Sequence, residues 1–476
     1  LVPPVPLYVD LDGSLISSDL LIESALKLLK AHPFNLIRMV AWLRRGKAHL
    51  KTRIADEAVL DVTTLPYNAD VIAVMEEARG ARRRVVLATA SHARYAEAVA
   101  SHLGLFDGVL ATDIDRNLSG GAKLLAIRDD ARGLPFEYLG NGTVDLEIWR
   151  EAAAAVVVTA DQSLLERAQR VTSSVRHIRV ASAGPRAWGR AVRLHQWAKN
   201  LLLFMPALPL VSTLDPRGWV ALCLGFVAFG LCASSVYILN DLLDLESDRM
   251  HVRKRRRPIP SGEVPLVQAC ALCPVLLLTS FVVAAALLPW QFMVVLALYW
   301  VSTMAYSFFL KKRVLIDIMT LASLYTIRIL AGAAAIRVPP SFWILIFSLF
   351  IFLSLAAAKR YVELLGMQNQ QRAKAAGRGY LVTDIPFVLS LGTCSGLTSV
   401  LVFALYVNDP VAREHLHQPY ALWLVCPLLL YWMSRVWLKA TRGELHDDPV
   451  VFAVTDRVSQ IVAVLGLLLV IVAARL

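Results

Sequence analysis

Apolar residues fall into two regimes along this chain. Up to about residue 183, short Val-, Leu- and Ala-rich runs alternate with charged segments, whereas beyond it the apolar residues gather into long blocks, most of them near the ~20 residues that cross a bilayer. Those blocks predict nine spans, at 198–213, 218–239, 264–288, 290–310, 314–336, 341–358, 385–407, 420–438 and 458–474. In the first regime "LYVDLDGSL" and "RVVLATAS" read as short buried strands, "FEYLGNGTVDLEIW" supplies a third, and residues 15–84 look mostly helical. The pattern therefore predicts two domains: a soluble one over 1–183 and an all-α polytopic membrane bundle of about nine helices over 184–476.

Charge changes the picture through its placement. A formal net charge of +12 would suit a nucleic-acid binder, but the basic residues sit between apolar runs, so no nucleic-acid partner is expected. After the second predicted span come Arg249 and the unbroken run 253–257; after the fourth, Lys311, Lys312 and Arg313; after the sixth, Lys359, Arg360, Arg372, Lys374 and Arg378; after the eighth, Lys439, Arg442 and Arg457. The intervening loops hold Arg217, no basic residue, Arg337 and Arg413. By the positive-inside rule the heavily charged loops face the cytoplasm, which predicts a cell (inner) membrane protein with a cytoplasmic front domain and an external C-terminus. The opening residues run straight into a strand-like segment with no basic stretch and apolar core before it, in keeping with a front domain that stays in the cytoplasm. All six cysteines lie in the membrane part, where a thiol packs as a small hydrophobe, and no disulfide framework is suggested.

Positive-inside bias does not explain aspartates. Asp241, Asp244 and Asp248 are spaced three and four apart on a helix leaving the second predicted span, with Asn240 beside them. Like charges on one helical face repel, and a bound cation removes the penalty; oxygen ligands favour Mg²⁺, which takes one or two carboxylates and completes its shell with water and substrate phosphates. The alternative is a solvated helix end bridged to the basic run 253–257.

The N-D-x-x-D-x-x-x-D pattern of 240–248, followed by "KRRRPIPSG", resembles the first aspartate-rich motif of the UbiA superfamily of intramembrane prenyltransferases, and "RLHQWAKN" (193–200) and "YSFFLKKRVLID" (306–317) extend the resemblance. It implies a nine-span bundle open to the cytoplasmic side, with Asp241, Asp244 and Asp248 as catalytic residues that hold Mg²⁺ on a diphosphate. One departure is informative. Where ordinary members carry a second aspartate-rich motif, this chain reads "AAAKRYVELLG" (356–366), a cationic wall suited to binding an anion directly. That pattern resembles the decaprenyl-phosphate phosphoribosyltransferase branch. The resemblance implies 5-phosphoribosyl 1-diphosphate as donor, a polyprenyl phosphate as acceptor, and a product on the way to arabinan precursors. Under it Lys199, Lys311, Lys359 and Arg360 contact phosphate, Asn240 and Asp317 orient substrate or complete the metal shell, and Tyr306 belongs to the same motif as Lys311. Arg328 lies within the fifth predicted span, where charge is expensive and more often functional, and is a further candidate anion ligand. "RGELHDDP" (442–449) either closes the cytoplasmic mouth or is a solvated loop. A conventional prenyltransferase moving an isoprenyl group to an aromatic or other acceptor is the alternative, and a homo-oligomer is left open.

The front domain carries its own chemistry. Asp10 and Asp12 of "VDLDGSL", Thr89 of the second strand, Lys123 of "GAKLLAI" and Asp145 after the third strand follow one another in an order that resembles the haloacid dehalogenase (HAD) superfamily. The resemblance implies a doubly wound parallel α/β sheet with a helical cap at about 15–84. It also implies Asp10 as nucleophile toward a phosphoryl group, Asp12 as acid and base, Thr89 and Lys123 on phosphate oxygens, and Mg²⁺ on Asp10 and Asp145. The usual G-D-x-x-x-D is here Gly140, Asn141 and then Asp145, so one carboxylate near the metal is an amide. Either an active phosphatase, acting on the phosphoribosyl lipid, or a regulatory domain follows. The basic amphipathic stretch "FNLIRMVAWLRRGKAHLK" (34–51) reads as a segment resting on the membrane surface or as an ordinary cap helix.

Overall fold

A computed structural model of the chain describes residues 5–114, 116–211, 213–369, 379–409, 418–445 and 449–475. Arg372, Lys374, Arg378, Arg413 and residues 446–448 of the "RGELHDDP" loop lie outside the described residues. The chain divides into two compact units: Leu1–Val192 with Tyr237–Cys273, and Arg193–Val236 with Pro274–Leu476.

In the first unit, strands β1 (Leu7–Val9), β2 (Val85–His92), β3 (Gly108–Thr112), β4 (Glu137–Gly140), β5 (Ala154–Thr159) and β6 (Val175–Arg179) form one sheet in the order β3-β2-β1-β4-β5-β6, with every pairing parallel. The near-continuous apolar runs in β1, β2 and β5 suit a parallel sheet, because both of its faces are covered. Alternate residues supply the two faces. Leu7, Val9, Val85, Leu87, Leu139, Val156 and Val158 enter one core; Tyr8, Val86, Ala88, Tyr138, Ala155 and Val157 enter the other. The strand order reverses between β1 and β4, which puts the topological switch point, where such sheets form their crevice, at the carboxyl ends of these two strands.

Between β1 and β2 run four helices, α1 (Leu20–Ala31), α2 (Asn35–Leu43), α3 (Lys47–Glu57) and α4 (Ala69–Gly80). Asp19 caps α1 by accepting from the N–H of Ile22 at 2.9 Å, and Asn68 caps α4 by accepting from that of Asp70 at 3.1 Å. Helix α1 is also where residues 237–273 attach. Arg249 forks onto Glu23, with Nη2 2.6 Å from Oε1 and Nη1 2.9 Å from Oε2, in a buried pair that also includes Ser18 Oγ. Lys27 bonds Glu246 at 2.7 Å and Lys30 bonds Asp244 at 2.7 Å. Gly262, at φ +78°, passes so close to Ser17 that a Cβ would sit 2.5 Å from its carbonyl oxygen.

Among the described residues, seven helices are long and apolar enough to cross a membrane: Pro216–Leu243, Leu266–Leu287, Trp290–Phe308, Ile316–Ala335, Phe342–Asn369, Val382–Asn408 and Tyr420–Thr441. This corrects the expectation of nine. The expected first span is a 3₁₀ helix, Leu194–Leu210, in which Pro206 and Pro209 remove backbone donors and crowd the preceding turn, so an α-helical ladder does not form. The expected ninth falls on the shorter apolar helix Arg457–Ala473. Gly332 lets the 3₁₀ helix approach, since a Cβ there would lie 1.9 Å from the Leu203 carbonyl oxygen. Deep in the same unit, Arg360 and Asp317 are both fully buried and paired, Nε to Oδ2 at 2.8 Å, and Arg360 also holds Glu363.

These two buried pairs predict different responses to mutation. Arg249→Ala strands Glu23 without its partner and should lower stability by about 3–5 kcal/mol, read as a lowered denaturant midpoint of the full-length protein in detergent. Asp317→Asn should cost a similar ~3–5 kcal/mol, whereas the double change Asp317→Leu with Arg360→Met should recover most of the loss, because no unpaired charge is left behind. A double variant no more heat-resistant than Asp317→Asn alone would show that the pair is needed for more than mutual neutralisation.

Candidate functional site

The carboxyl end of β1 delivers Asp10, and the turn after it requires glycine. Gly13 has φ +75°, and a Cβ there would meet Asn141 Nδ2 at 2.1 Å, so the β1 and β4 loops close on each other only at this position without a side chain. Lys123 Nζ donates to Asp10 Oδ1 at 2.7 Å and to Tyr138 Oη at 3.0 Å, and Tyr138 donates in turn to Asp145 Oδ1 at 2.9 Å. Asp145 Oδ2 accepts the backbone N–H groups of Asn141 at 3.0 Å and Gly142 at 2.8 Å. Asp12 accepts from Ser91 Oγ at 2.6 Å and from the N–H of Leu20 at 2.9 Å. Thr89 is buried, and its hydroxyl accepts from the N–H of Ser91 at 3.0 Å. All five residues expected from the sequence (Asp10, Asp12, Thr89, Lys123 and Asp145) thus line or border one strand-end crevice.

Electrostatics differentiates these groups. Burial, reinforced by the charge of Asp19, raises the Asp12 carboxyl to about 7, so it holds a proton near neutrality. Burial alone would lower Lys123, but the carboxylates of Asp10 and Asp145 outweigh it and raise its pKa, keeping the ammonium charged. For a cation, the available carboxylates are Asp10 and Asp145, and Asn141 adds only an amide. Asp145 Oδ2 accepts two backbone N–H groups and Oδ1 only the Tyr138 hydroxyl, so Oδ1 keeps a lone pair with which it could join Asp10 in holding Mg²⁺. Lys51 of α3 also reaches this region, donating to the Ala90 carbonyl at 2.6 Å and Asn117 Oδ1 at 2.8 Å.

A second constellation lies at the end of the helix Pro216–Leu243, which carries Asn240 and Asp241 in its last turn; a short helix, Leu245–Met250, carries Asp248. Asp241 and Asp248 are each 2 % exposed. Arg257 Nη1 lies 3.0 Å from Asp241 Oδ1 and 2.7 Å from Asp248 Oδ2, with Lys254 at 3.6 Å from Asp248. Asp244 turns instead to Lys30. The expected alternative, bridging to the basic run, is therefore present through Arg257, yet on buried carboxylates rather than a solvated helix end. Two carboxylate oxygens that converge on one positively charged nitrogen also fit Mg²⁺, which needs only one or two of them. Among the described residues no set of three or more His, Cys, Asp or Glu side chains gathers around a common point.

In the second unit the expected residues form two clusters. Arg328 donates to Asn200 Oδ1 at 3.1 Å, the Leu324 carbonyl at 2.5 Å and Tyr299 Oη at 3.1 Å, and lies over the rings of Phe229, Tyr299 and Tyr325. Lys199 Nζ lies 5.7 Å from the centre of the same Tyr325 ring. In the other cluster Tyr306 donates to Asp317 Oδ1 at 2.8 Å, beside the Arg360 pair. Lys359 is half-buried on the helix Phe342–Asn369, and Lys311 lies in the 3₁₀ turn Leu310–Lys312.

Sequence reasoning did not single out Arg257, Tyr138, Ser91 or Lys51. Arg257 was indistinguishable from its basic neighbours, and Tyr138 alternates with core residues in β4. Ser91 carried a usable signal, two residues beyond Thr89 at the end of the same strand.

The profile of the UbiA prenyltransferase family matches residues 201–473. The chain is 35% identical over 464 residues to the uncharacterized protein y4nM of Sinorhizobium fredii, covering 97% of this chain and 89% of that protein. It is 33% identical over 279 residues to the nodulation protein NoeC of Azorhizobium caulinodans, covering 59% of this chain and 90% of that one. It is 31% identical over 280 residues to the decaprenyl-phosphate phosphoribosyltransferase of Mycobacterium tuberculosis, covering 58% of this chain and 89% of that one. With more than half of its length matched and its long apolar helices in that region, this integral membrane protein belongs to the UbiA prenyltransferase family.

Proposed function

We propose that the membrane domain (184–476) transfers 5-phosphoribose from 5-phosphoribosyl 1-diphosphate to a polyprenyl phosphate, releasing diphosphate, and that the α/β domain (1–183) is a HAD-like phosphatase acting on the phosphoribosyl lipid. The observation that carries the reading is that the helix Phe342–Asn369 carries Lys359, backed by the buried Arg360–Asp317 pair, where UbiA prenyltransferases have their second acidic motif. The similarity to a phosphoribosyltransferase supports it. The active site and the front domain face the cytoplasm in this reading.

Asp241 and Asp248, bridged by Arg257 in the structure, would hold Mg²⁺ with Asp244 as a third ligand from the same segment, and the ion would supply neutralisation of the departing diphosphate. Lys199, Lys311, Lys359 and Arg328 bind and orient the anionic ends of donor and acceptor, with Arg360 fixed by Asp317 behind Lys359. No general base is needed, because a lipid phosphate is already an anionic nucleophile and positioning supplies much of the acceleration. In the α/β domain Asp10 attacks the phosphoryl group and displaces the ester oxygen, Lys123 steadies the phosphoryl oxygens, the leaving alkoxide takes the Asp12 proton, and a water that gives its proton to Asp12 then hydrolyses the aspartyl phosphate, releasing phosphate and restoring Asp10.

Purified full-length protein with Mg²⁺, phosphoribosyl diphosphate and a polyprenyl phosphate should release diphosphate and form a phosphoribosyl lipid. Asp241→Asn or Asp248→Asn should slow this by roughly 100-fold or more. Turnover only of an isoprenyl diphosphate with an aromatic acceptor would assign a conventional prenyltransferase instead. For the front domain, Asp10→Asn should raise the ratio of phosphoribosyl to ribosyl lipid, and an unchanged ratio would remove it from the reaction. Because Asp12 must be protonated to serve the leaving group and its pKa is raised to about 7, wild-type dephosphorylation should fall as the pH is taken from 6 to 8, roughly tenfold per unit above that pKa.

A further inference from the structure

Helix α2 is oriented with its apolar side outward. Asn35 and Trp42 turn inward, the latter into a small cluster with Leu28, Ile54 and Ala58. On the other side Phe34 and Ile37 are 79% and 70% exposed, and Leu36, Val40 and Leu43 about half exposed. Five large apolar side chains over ten consecutive positions form a patch that a water-facing cap helix would not keep without a function. Arg38 is committed to Glu57, at 3.0 and 2.6 Å, whereas Arg44, Arg45 and Lys47 follow the patch as exposed residues at its C-terminal end.

The position of α2 along the chain indicates what covers it. Lys30, in the last turn of α1, lies 2.7 Å from Asp244, and Asp244 is the residue that follows the membrane-crossing helix Pro216–Leu243. The polar run from Asn240 marks where that helix leaves hydrocarbon. Residue 35 is five residues beyond Lys30, a reach of at most about 17 Å even when fully extended. The headgroup region adds roughly 5–8 Å on each side of the hydrocarbon, so α2 is tethered within a short distance of the bilayer boundary by a contact inside one compact unit.

From this we infer that α2 lies in the bilayer interface, with Phe34, Ile37, Val40 and Leu43 among the acyl chains and Arg44, Arg45 and Lys47 on anionic headgroups. The occupant of the patch is the lipid leaflet that already holds this chain. An apolar face combined with adjacent positive charge is the combination that holds amphipathic helices in an interface, and the membrane anchor spares α2 the cost of finding it.

The test uses the full-length chain in nanodiscs containing phosphatidylglycerol, part of it carrying a photoactivatable diazirine in the acyl chain, with adducts mapped by mass spectrometry. Adducts within residues 34–43 are expected, at a yield that falls at least about tenfold in Arg44→Glu/Arg45→Glu, while adducts on the helix Leu266–Leu287 stay constant as an internal control. Replacing phosphatidylglycerol by phosphatidylcholine should reproduce that fall in the unaltered protein, which covers the case of a variant that does not fold. No adduct at 34–43 in the unaltered protein would overturn the proposal, as would Ile37→Cys linking two copies of the chain through a disulfide, which would make the patch a protein interface.

Discussion

Two carboxylates buried at the edge of a membrane helix cannot both remain ionised without positive charge between them. Asp241 and Asp248 share one nitrogen of Arg257, sixteen and nine residues further along, and Lys254 adds a second positive charge beside Asp248. The rest of the aspartate segment follows from it. Helical bonding continues past Leu243, from the Asp244 N–H to the Asn240 carbonyl at 3.0 Å and from the Asp248 N–H to the Asp244 carbonyl at 2.8 Å; the basic run follows closely enough to supply Arg257, and Asp244 turns to Lys30 of α1. A divalent ion and a guanidinium are alternative answers to the same electrostatic problem, so the arginine marks the place where a cation is needed.

The same logic operates in the second unit, with a different result. Arg360 was expected to face phosphate, but in the structure its charge is matched by Asp317 and Glu363, and Tyr306 completes the group. Arg360 therefore holds the helices Ile316–Ala335 and Phe342–Asn369 together and presents its neighbour Lys359. Arg328 donates to the Asn200 amide oxygen, the Leu324 carbonyl and the Tyr299 hydroxyl and lies over three aromatic rings.

Much of this was legible along the chain because it is local or periodic. Alternation in β1, β2 and β5 assigns side chains to two cores, and the ordered residues Asp10, Thr89, Lys123 and Asp145 end up around one crevice because parallel strands place their carboxyl ends together. The long apolar blocks mark the seven helices that, among the described residues, are long and apolar enough to cross a membrane. The 198–213 block was misread because hydrophobicity masks backbone chemistry: Pro206 and Pro209 are as apolar as their neighbours but cannot donate. Arg257, Tyr138 and Lys30 were not legible as site residues, since each owes its role to a partner or packing environment fixed only by the fold. Lys30 meets Asp244 across more than two hundred residues.

Gly262 on Ser17, Arg249 on Glu23 and Lys27 on Glu246 have a consequence for how the protein is made. The α/β unit is finished by a strand of chain that leaves the ribosome only after a hydrophobic segment has been handed to the insertion machinery. Until the segment between the two membrane helices arrives, Glu23, Lys27 and Lys30 of α1 lack these partners. An excised amino-terminal fragment would keep the sheet and both of its cores but lose these partners of α1.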